Sequence, residues 1–92
     1  MTTGYGLQNK VVIVTGGAAG IGRATAMRFA GEGARVAIWD MNAEAGAATL
    51  AELKGLGAVA MFQQVNVAET EAVEKAVGEV VERWGAVDVL VN

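Results

Sequence analysis

The sequence predicts an α/β protein built on a doubly wound parallel sheet. Short apolar runs rich in Val and Ile alternate with helix-length segments in the order β-α-β-α-β-α-β. Each connection is long enough for a helical crossover between parallel strands. Hydrophobic residues make up 53% of the 92 residues but aromatic residues only 5%, which favours thin layers of Ala and Val packed between a sheet and its helices. These observations together predict three layers, with the sheet in the middle.

Four apolar segments are predicted to be strands. Val11–Val14 is continuous and β-branched and is followed by glycine, as expected for a strand buried on both faces. Arg35–Asp40 is the second strand, and the segment Val59–Val67 contains the third. The fourth is Val87–Val91, which is almost wholly apolar.

Three helices are predicted between these strands. The first ends at Gly33, the second spans Ala43–Leu56 with Asn42 as its N-cap, and the third spans Glu69–Trp84 and ends at Gly85. The first and third have apolar stripes at helical spacing. These comprise Gly22, Ala26, Phe29, Ala30 and Gly33 in the first helix, and Val73, Val77, Val80, Val81 and Trp84 in the third.

The composition excludes several classes of function. Without Cys or His there is no disulfide framework, no thiol nucleophile, no Ser-His-Asp triad and no thiolate or imidazole metal site, so no metal is expected. Seven basic residues against ten acidic ones argue against nucleic-acid or anionic-membrane partners. Neither a secretory leader nor a window approaching the ~20 apolar residues of a membrane span is present. We therefore expect a cytoplasmic protein.

A glycine-rich turn, TGGAAGIG, joins the first strand to the first helix. Gly16 permits a tight turn, Gly20 lets a pyrophosphate approach the backbone, and Gly22 lets the helix pack closely on the strand. The free N–H groups and the dipole of the helix N-terminus favour a phosphate there. The alternative is a tight connection that binds nothing. The candidate cofactor-binding residues here are Thr15, Gly16, Ala19, Gly20, Ile21 and Gly22.

An acidic residue, Asp40, ends the second strand, 18 residues after Gly22. This offset is close to the ~20 residues at which a carboxylate meets the adenosine ribose. A carboxylate would accept hydrogen bonds from the ribose hydroxyls and repel the 2′-phosphate of NADP. Ala19 and Met41 bring no positive charge, so the sequence favours NAD over NADP. The alternative is that Asp40 is an ordinary solvated strand-end residue.

The spacing T-G-x-x-x-G-x-G and the final segment VDVLVN resemble the short-chain dehydrogenase/reductase family over residues Lys10 to Asn92. The resemblance implies a Rossmann-type sheet with strand order 3-2-1-4 and a glycine motif that binds the cofactor's phosphates. It also implies an oxidoreductase that transfers a hydride between nicotinamide and an alcohol or carbonyl substrate. In this family Asn92 would lie beside the cofactor.

The same resemblance places Asn66 and Val67 on the adenine side of the site. The family commonly has Asp where this chain has Asn66. The amide oxygen of Asn66 can still accept a hydrogen bond from the adenine amino group. A turn residue bonded to its own backbone is an equally good interpretation. Ala68 stands where a hydroxyl would cap the third helix.

The family's catalytic Ser, Tyr and Lys would follow later in its chains. Here Ser is absent, and Tyr5 is followed four positions on by Asn9 instead of Lys. We therefore expect residues 1–92 to be a partial dinucleotide-binding domain, cut after the fourth strand and without catalytic residues or activity. The parent protein is expected to be a homo-oligomer, and the exposed fourth strand is expected to promote self-association. The alternative is a stand-alone or engineered nucleotide-binding half-fold without enzymatic activity.

Overall fold

A computed structural model describes residues 6–92. Tyr5 lies outside the described residues. Strands and helices alternate as the sequence predicts. The elements are β1 (Val11–Thr15), α1 (Gly20–Gly31), β2 (Arg35–Asp40), α2 (Ala43–Gly55), β3 (Ala60–Gln64), α3 (Thr70–Trp84) and β4 (Val89–Val91).

The four strands form one parallel sheet in the order β3-β2-β1-β4. Helices α1 and α2 pack on one face of this sheet and α3 packs on the other. The predicted doubly wound sheet and its strand order are therefore confirmed. Because all the strands are parallel, the carboxyl ends of β1, β2 and β3 lie along one edge, where the turn after β1 and the acidic end of β2 are neighbours.

Apolar side chains, many of them Val or Ala, fill both layers between the sheet and the helices. On the α3 face the buried residues include Val11, Ile13, Trp39, Ala76 and Val80, and on the α1–α2 face they include Val12, Val14, Ala26, Ile38 and Leu53. Trp39 is 2% exposed, so it is a packing residue. None of the helices within residues 6–92 is both long and apolar enough to cross a membrane.

Helix boundaries and faces differ from the sequence prediction in detail. α1 begins at Gly20, inside the glycine motif, and ends at Gly31, ahead of Gly33. On α3 the predicted face is wrong at Val81, which is 42% exposed, whereas Ala76 is buried against the sheet. An α-helix has 3.6 residues per turn, so the buried stripe passes through Ala76 and Val80. Val81 lies about 100° around the helix from Val80, outside that stripe.

β4 is shorter than predicted, because a side chain replaces part of its backbone pairing. The Asp88 carboxylate accepts the N–H of Val11 at 2.8 Å, and the Asp88 N–H donates to the carbonyl of Val11 at 2.9 Å. Regular pairing therefore begins at Val89. The role of Asp88 is therefore structural. Leu90 in the middle of the strand is 54% exposed.

A buried polar bridge ties α3 to the sheet. The indole N–H of Trp39 donates to Oε1 of Gln63 at 2.7 Å. The amide nitrogen of Gln63 donates to the carbonyl of Ala76 at 3.0 Å and to Oε1 of Glu79 at 2.9 Å. One side chain on β3 thus connects β2 with α3 across the apolar layer.

Candidate functional site

The turn between β1 and α1 has the backbone that its glycines predict. Gly16 and Gly20 have φ angles of +65° and +58°, in the left-handed region that favours glycine. A Cβ added to Gly20 would meet nothing within 4 Å, so the space beside it is open. A Cβ on Gly22 would collide with the carbonyl of Gly16. Gly22 therefore packs against Gly16, the residue that directly follows β1, so a side chain there would push α1 away from the end of the strand.

The N-terminus of α1 has no side-chain cap. Its N-cap is Ala19, whose methyl group accepts no hydrogen bond, and its first turn contains no acidic residue. By contrast, α2 is capped by Asn42, whose side chain accepts the N–H of Ala45 at 2.9 Å. The first N–H groups of α1 therefore have neither an intrahelical acceptor nor a capping oxygen. Such an end, with its positive dipole, can hold an anion.

Three hydrogen bonds anchor the turn to its surroundings. The N–H of Gly17 donates to the carbonyl of Trp39 at 3.2 Å. The N–H of Ala18 donates to Oδ2 of Asp40 at 3.2 Å. The carbonyl of Ala18 accepts the hydroxyl of Thr49 at 2.8 Å. The turn is thereby fixed to β2 on one side and to α2 on the other.

Asp40 stands at the carboxyl end of β2, half-buried beside the turn. Its second oxygen, Oδ1, accepts the N–H of Asn42 at 3.0 Å. An ionised carboxylate has about four lone-pair sites, so two hydrogen bonds leave capacity for a further donor. The carboxylate is oriented by the backbone and remains able to accept hydrogen bonds from a ligand.

An open cleft of about 280 Å³ lies at the carboxyl ends of β1, β2 and β3. Its lining residues are Thr15, Gly16, Trp39, Asp40, Met41, Val65, Asn66 and Val67. Six of the eleven predicted site residues therefore come together here. The predicted residues at the start of α1 and at the end of the chain do not line it. A larger groove of about 350 Å³ lies between β3 and α3, but none of the predicted site residues line it.

Asn66 forms the backbone-bonded turn that the sequence left as one of two alternatives. Its Oδ1 accepts the N–H of Ala68 at 3.0 Å, and its carbonyl accepts the N–H of Glu69, also at 3.0 Å. The N-cap of α3 is Glu69, so the predicted cap position at Ala68 is wrong by one residue. The contact of Asn66 with adenine stays a prediction. Val67 and Met41, exposed by 58% and 57%, form an apolar rim to the cleft.

Thr15 joins the ends of β1 and β4. Its hydroxyl lies 3.2 Å from the carbonyl of Val91 and 3.4 Å from Oδ1 of Asn92, two alternative acceptors for one proton. Asn92 therefore stands at the same edge of the sheet as the glycine turn, on the side away from Asp40.

The charges around the site are unevenly placed. The residues lining the cleft include one carboxylate and no Lys or Arg. Arg23, the first basic residue after the glycine motif, is ion-paired with Glu52 of α2, with 3.1 Å between Nε and Oε1. The hydrogen bond to Glu52 raises the pKa of Arg23, and the bond to Arg23 lowers the pKa of Glu52. The Arg23 guanidinium is therefore already bound to a carboxylate.

Spacing along the chain does not identify Ala18 and Thr49 as part of the site. Both are buried, and they bond to each other across the interface between the turn and α2. One signal was available, because Thr49 lies between Gly46 and Leu53 at helical spacing on the buried side of α2. A hydroxyl on an apolar stripe needs a partner, and here that partner is the glycine turn.

A parallel doubly wound sheet, a glycine turn leading into an uncapped helix and an acid at the end of the neighbouring strand define a Rossmann-type α/β protein. A family model described as short chain dehydrogenase matches residues 10–92. The chain therefore belongs to the short-chain dehydrogenase family. This confirms the family predicted from the glycine motif and the VDVLVN segment.

Individual relatives agree with this membership. The chain is 44% identical over 86 residues to sorbitol dehydrogenase of Cereibacter sphaeroides, covering 94% of this chain and 32% of that protein. A solved actinorhodin polyketide ketoreductase variant with NADPH is 40% identical with a TM-score of 0.88, covering 91% of this chain and 32% of that one. A short-chain dehydrogenase/reductase from Burkholderia phymatum in complex with NAD is 28% identical with a TM-score of 0.90, covering 94% and 31%. The chain thus spans about a third of the length of its relatives.

Proposed function

We propose that this chain is the cofactor-binding part of an NAD(P)-dependent oxidoreductase that interconverts alcohols and carbonyls. The observation that carries the proposal is the open glycine turn at the uncapped start of α1, set beside the carboxylate of Asp40. Membership of the short-chain dehydrogenase family supports it. Two relatives, named sorbitol dehydrogenase and 3-oxoacyl-[acyl-carrier-protein] reductase, have names that describe reactions at a hydroxyl or a keto group.

The residues present fit the adenosine diphosphate half of a dinucleotide. The N–H groups of Ala19, Gly20 and Ile21 would bind the pyrophosphate at the start of α1, where the missing Cβ of Gly20 leaves room. Asp40 would accept hydrogen bonds from the adenosine ribose. When bound, the nicotinamide supplies the hydride donor or acceptor of the reaction.

The other predicted residues surround these contacts. Thr15 and Gly16 would line the approach to the pyrophosphate, and Gly22 would hold the turn in shape. Met41 and Val67 would cover the adenine with their exposed apolar side chains. Asn66 has its Nδ2 hydrogens and one remaining Oδ1 lone pair for the adenine edge. Asn92 would lie beside the nicotinamide half, across β1 from Asp40.

We propose NAD as the preferred cofactor. The negative charge of Asp40 opposes the 2′-phosphate of NADP, and no Lys or Arg lines the cleft to offset it. The Arg23 guanidinium is paired with Glu52. Solved neighbours include complexes with NADPH and with NAD, so the choice for this chain rests on its own charges.

We further propose that the catalytic residues of the oxidoreductase lie outside residues 1–92, which form a partial dinucleotide-binding domain without activity of their own. The absence of Ser and of a Tyr-x-x-x-Lys segment from the sequence supports this. The alternative is a nucleotide-binding module without chemistry. A reading frame continuing beyond Asn92 into Asn-Ala-Gly, and later into Tyr-x-x-x-Lys, would distinguish the oxidoreductase from the module.

We also propose the binding partners, cellular location and oligomeric state of the protein. A dinucleotide and a small-molecule substrate would be its partners. The net charge of −3 supports the absence of nucleic-acid partners, and the lack of Cys is compatible with a cytoplasmic location. The complete oxidoreductase is proposed to be a homo-oligomer.

Titration calorimetry with NAD, NADP and ADP-ribose tests the proposal on the 92-residue chain. ADP-ribose and NAD are expected to bind with similar affinity, because the contacts proposed above involve mainly their shared half. NADP is expected to bind about tenfold more weakly, corresponding to ~1.4 kcal/mol of charge repulsion. Absence of binding by all three ligands would contradict the proposed function, and tighter binding of NADP would contradict the cofactor choice alone.

A further inference from the structure

We infer that Thr49 is a positioning residue for the phosphate-binding turn and that it acts by fixing the direction of the Ala19 N–H. The inference rests on the proposed function, because it concerns how the same turn would hold a pyrophosphate. It assigns a role to a residue of α2 that does not line the cleft and comes 27 positions after the last glycine of the motif.

The first step is the buried contact between α2 and the turn. Thr49 is 2% exposed, and its hydroxyl donates to the carbonyl of Ala18 at 2.8 Å. Ala18 is itself 4% exposed, so water does not readily replace this bond. A buried carbonyl that lost its donor would be left unsatisfied, which favours rotation of the peptide toward solvent.

The second step follows from the geometry of the peptide bond. The plane that carries the Ala18 carbonyl also carries the Ala19 N–H, and in a trans peptide the two point in opposite directions. The described residues contain no cis peptide bonds. With the carbonyl held toward α2 by Thr49, the Ala19 N–H points away from α2. Ala19 is exposed, and no acceptor in residues 6–92 takes its N–H. The hydroxyl thus directs a free donor outward at the start of α1.

Asp40 and Thr49 hold two successive peptides of the turn independently of each other. Asp40 holds the preceding peptide of the turn through the Ala18 N–H, at 3.2 Å, and it is half-buried at the edge of the cleft. A ribose that bound Asp40 would compete for the same carboxylate. The Thr49 bond is buried away from the cleft and involves no group that a ligand would contact. It therefore keeps the Ala19 N–H in place whether or not Asp40 adjusts to a ribose.

The test compares Thr49→Val, which removes the hydroxyl at nearly constant volume, with Thr49→Ser, which keeps it. Thr70→Val, an exposed position at the start of α3, is the matched control. Calorimetry measures binding of ADP-ribose, which carries the pyrophosphate, and amide NMR titration measures binding of adenosine, which does not. Thr49→Val is expected to weaken ADP-ribose about 3- to 10-fold. Adenosine binding should change less than about twofold, and Thr49→Ser should retain most of the ADP-ribose affinity.

Several outcomes would overturn the inference. Unchanged ADP-ribose affinity in Thr49→Val would show that the hydroxyl does not position the turn, while leaving the proposed function intact. Equal weakening of ADP-ribose and adenosine would show a general loss of structure. If Thr49→Val does not melt cooperatively, Thr49→Ala replaces it, because it removes the hydroxyl without adding a methyl group in its place. The loss of ADP-ribose affinity is then again compared with the loss of adenosine affinity. No binding of ADP-ribose by the unmodified chain would overturn the proposed function together with this inference.

Discussion

At the scale of single residues, Asp40 orients the glycine turn through its hydrogen bonds, and we propose that it also reads the adenosine ribose. Its carboxylate holds the Ala18 N–H of the glycine turn and the N–H of Asn42, and it faces the cleft where a ribose would lie. We propose that its negative charge discriminates against a 2′-phosphate, whereas its two acceptor oxygens hold the turn and the start of α2. Asp40→Asn removes the charge and keeps one of the two acceptor oxygens.

This separation gives a prediction for Asp40→Asn. The amide oxygen of Asn can still accept the Ala18 N–H, but its Nδ2 cannot accept the Asn42 N–H that Asp40 also holds. NAD binding should therefore weaken, while the preference for NAD over NADP narrows about fivefold. Asp40→Ala combined with Met41→Arg should move the preference further toward NADP, because it adds a cation beside the ribose. The ratio of the two dissociation constants is the measurement. An unchanged ratio in both variants would show that Asp40 does not read the ribose.

At the scale of secondary-structure elements, the hydrophobic pattern predicted the centre of the fold well, because β1 and β2 are buried along almost their whole length, as their apolar runs indicate. The β-branched runs located β1 and β2, and the Asn42 cap located the start of α2. The errors have local physical causes. The Asp88 side chain replaces part of the β4 ladder, which an apolar pattern does not reveal.

The site was predictable to a similar extent. The glycine motif and the acid after β2 follow from chain spacing, and the family resemblance adds Asn66 and Val67. Six of the residues predicted in these two ways line one cleft. Thr49 and Gln63 could not be predicted from spacing, because their partners come from other elements. A polar residue on a buried stripe signals that some partner exists, but only the packed structure shows that it is the turn or the indole of Trp39.

At the scale of the whole molecule, β4 is an edge strand of the sheet and is more exposed than the central strands β1 and β2. Within the described residues, no strand pairs with the outer edge of β4. Leu90 in that strand is 54% exposed, although its sequence neighbours Val89 and Val91 are half-buried. An open apolar edge of this kind favours pairing with another strand.

We therefore predict that the 92-residue chain self-associates through β4. In sedimentation velocity the unmodified chain should show a concentration-dependent dimer, and Leu90→Lys should shift it toward the monomer, because a charge at the edge opposes pairing. Leu56→Lys is the matched control, since Leu56 is 73% exposed just after the end of α2. A monomer at all concentrations, melting cooperatively at high temperature, would contradict the prediction.

We propose above all that the glycine turn at the start of α1 binds the dinucleotide, and the affinity of Gly20→Val for ADP-ribose tests this without relying on any other contact. Valine would place side-chain atoms in the open space beside Gly20 and would strain a φ of +58°. Gly57→Val introduces similar strain, at a φ of +84° with open space around it, just after the end of α2 and away from the cleft. Each substitution is expected to destabilise the fold by about 1–3 kcal/mol.

The two variants should therefore have similar helix content by circular dichroism but different affinities. Loss of ADP-ribose binding in Gly20→Val, with binding retained in Gly57→Val, is the result predicted. Undiminished binding by a folded Gly20→Val would contradict the phosphate-binding role of the turn.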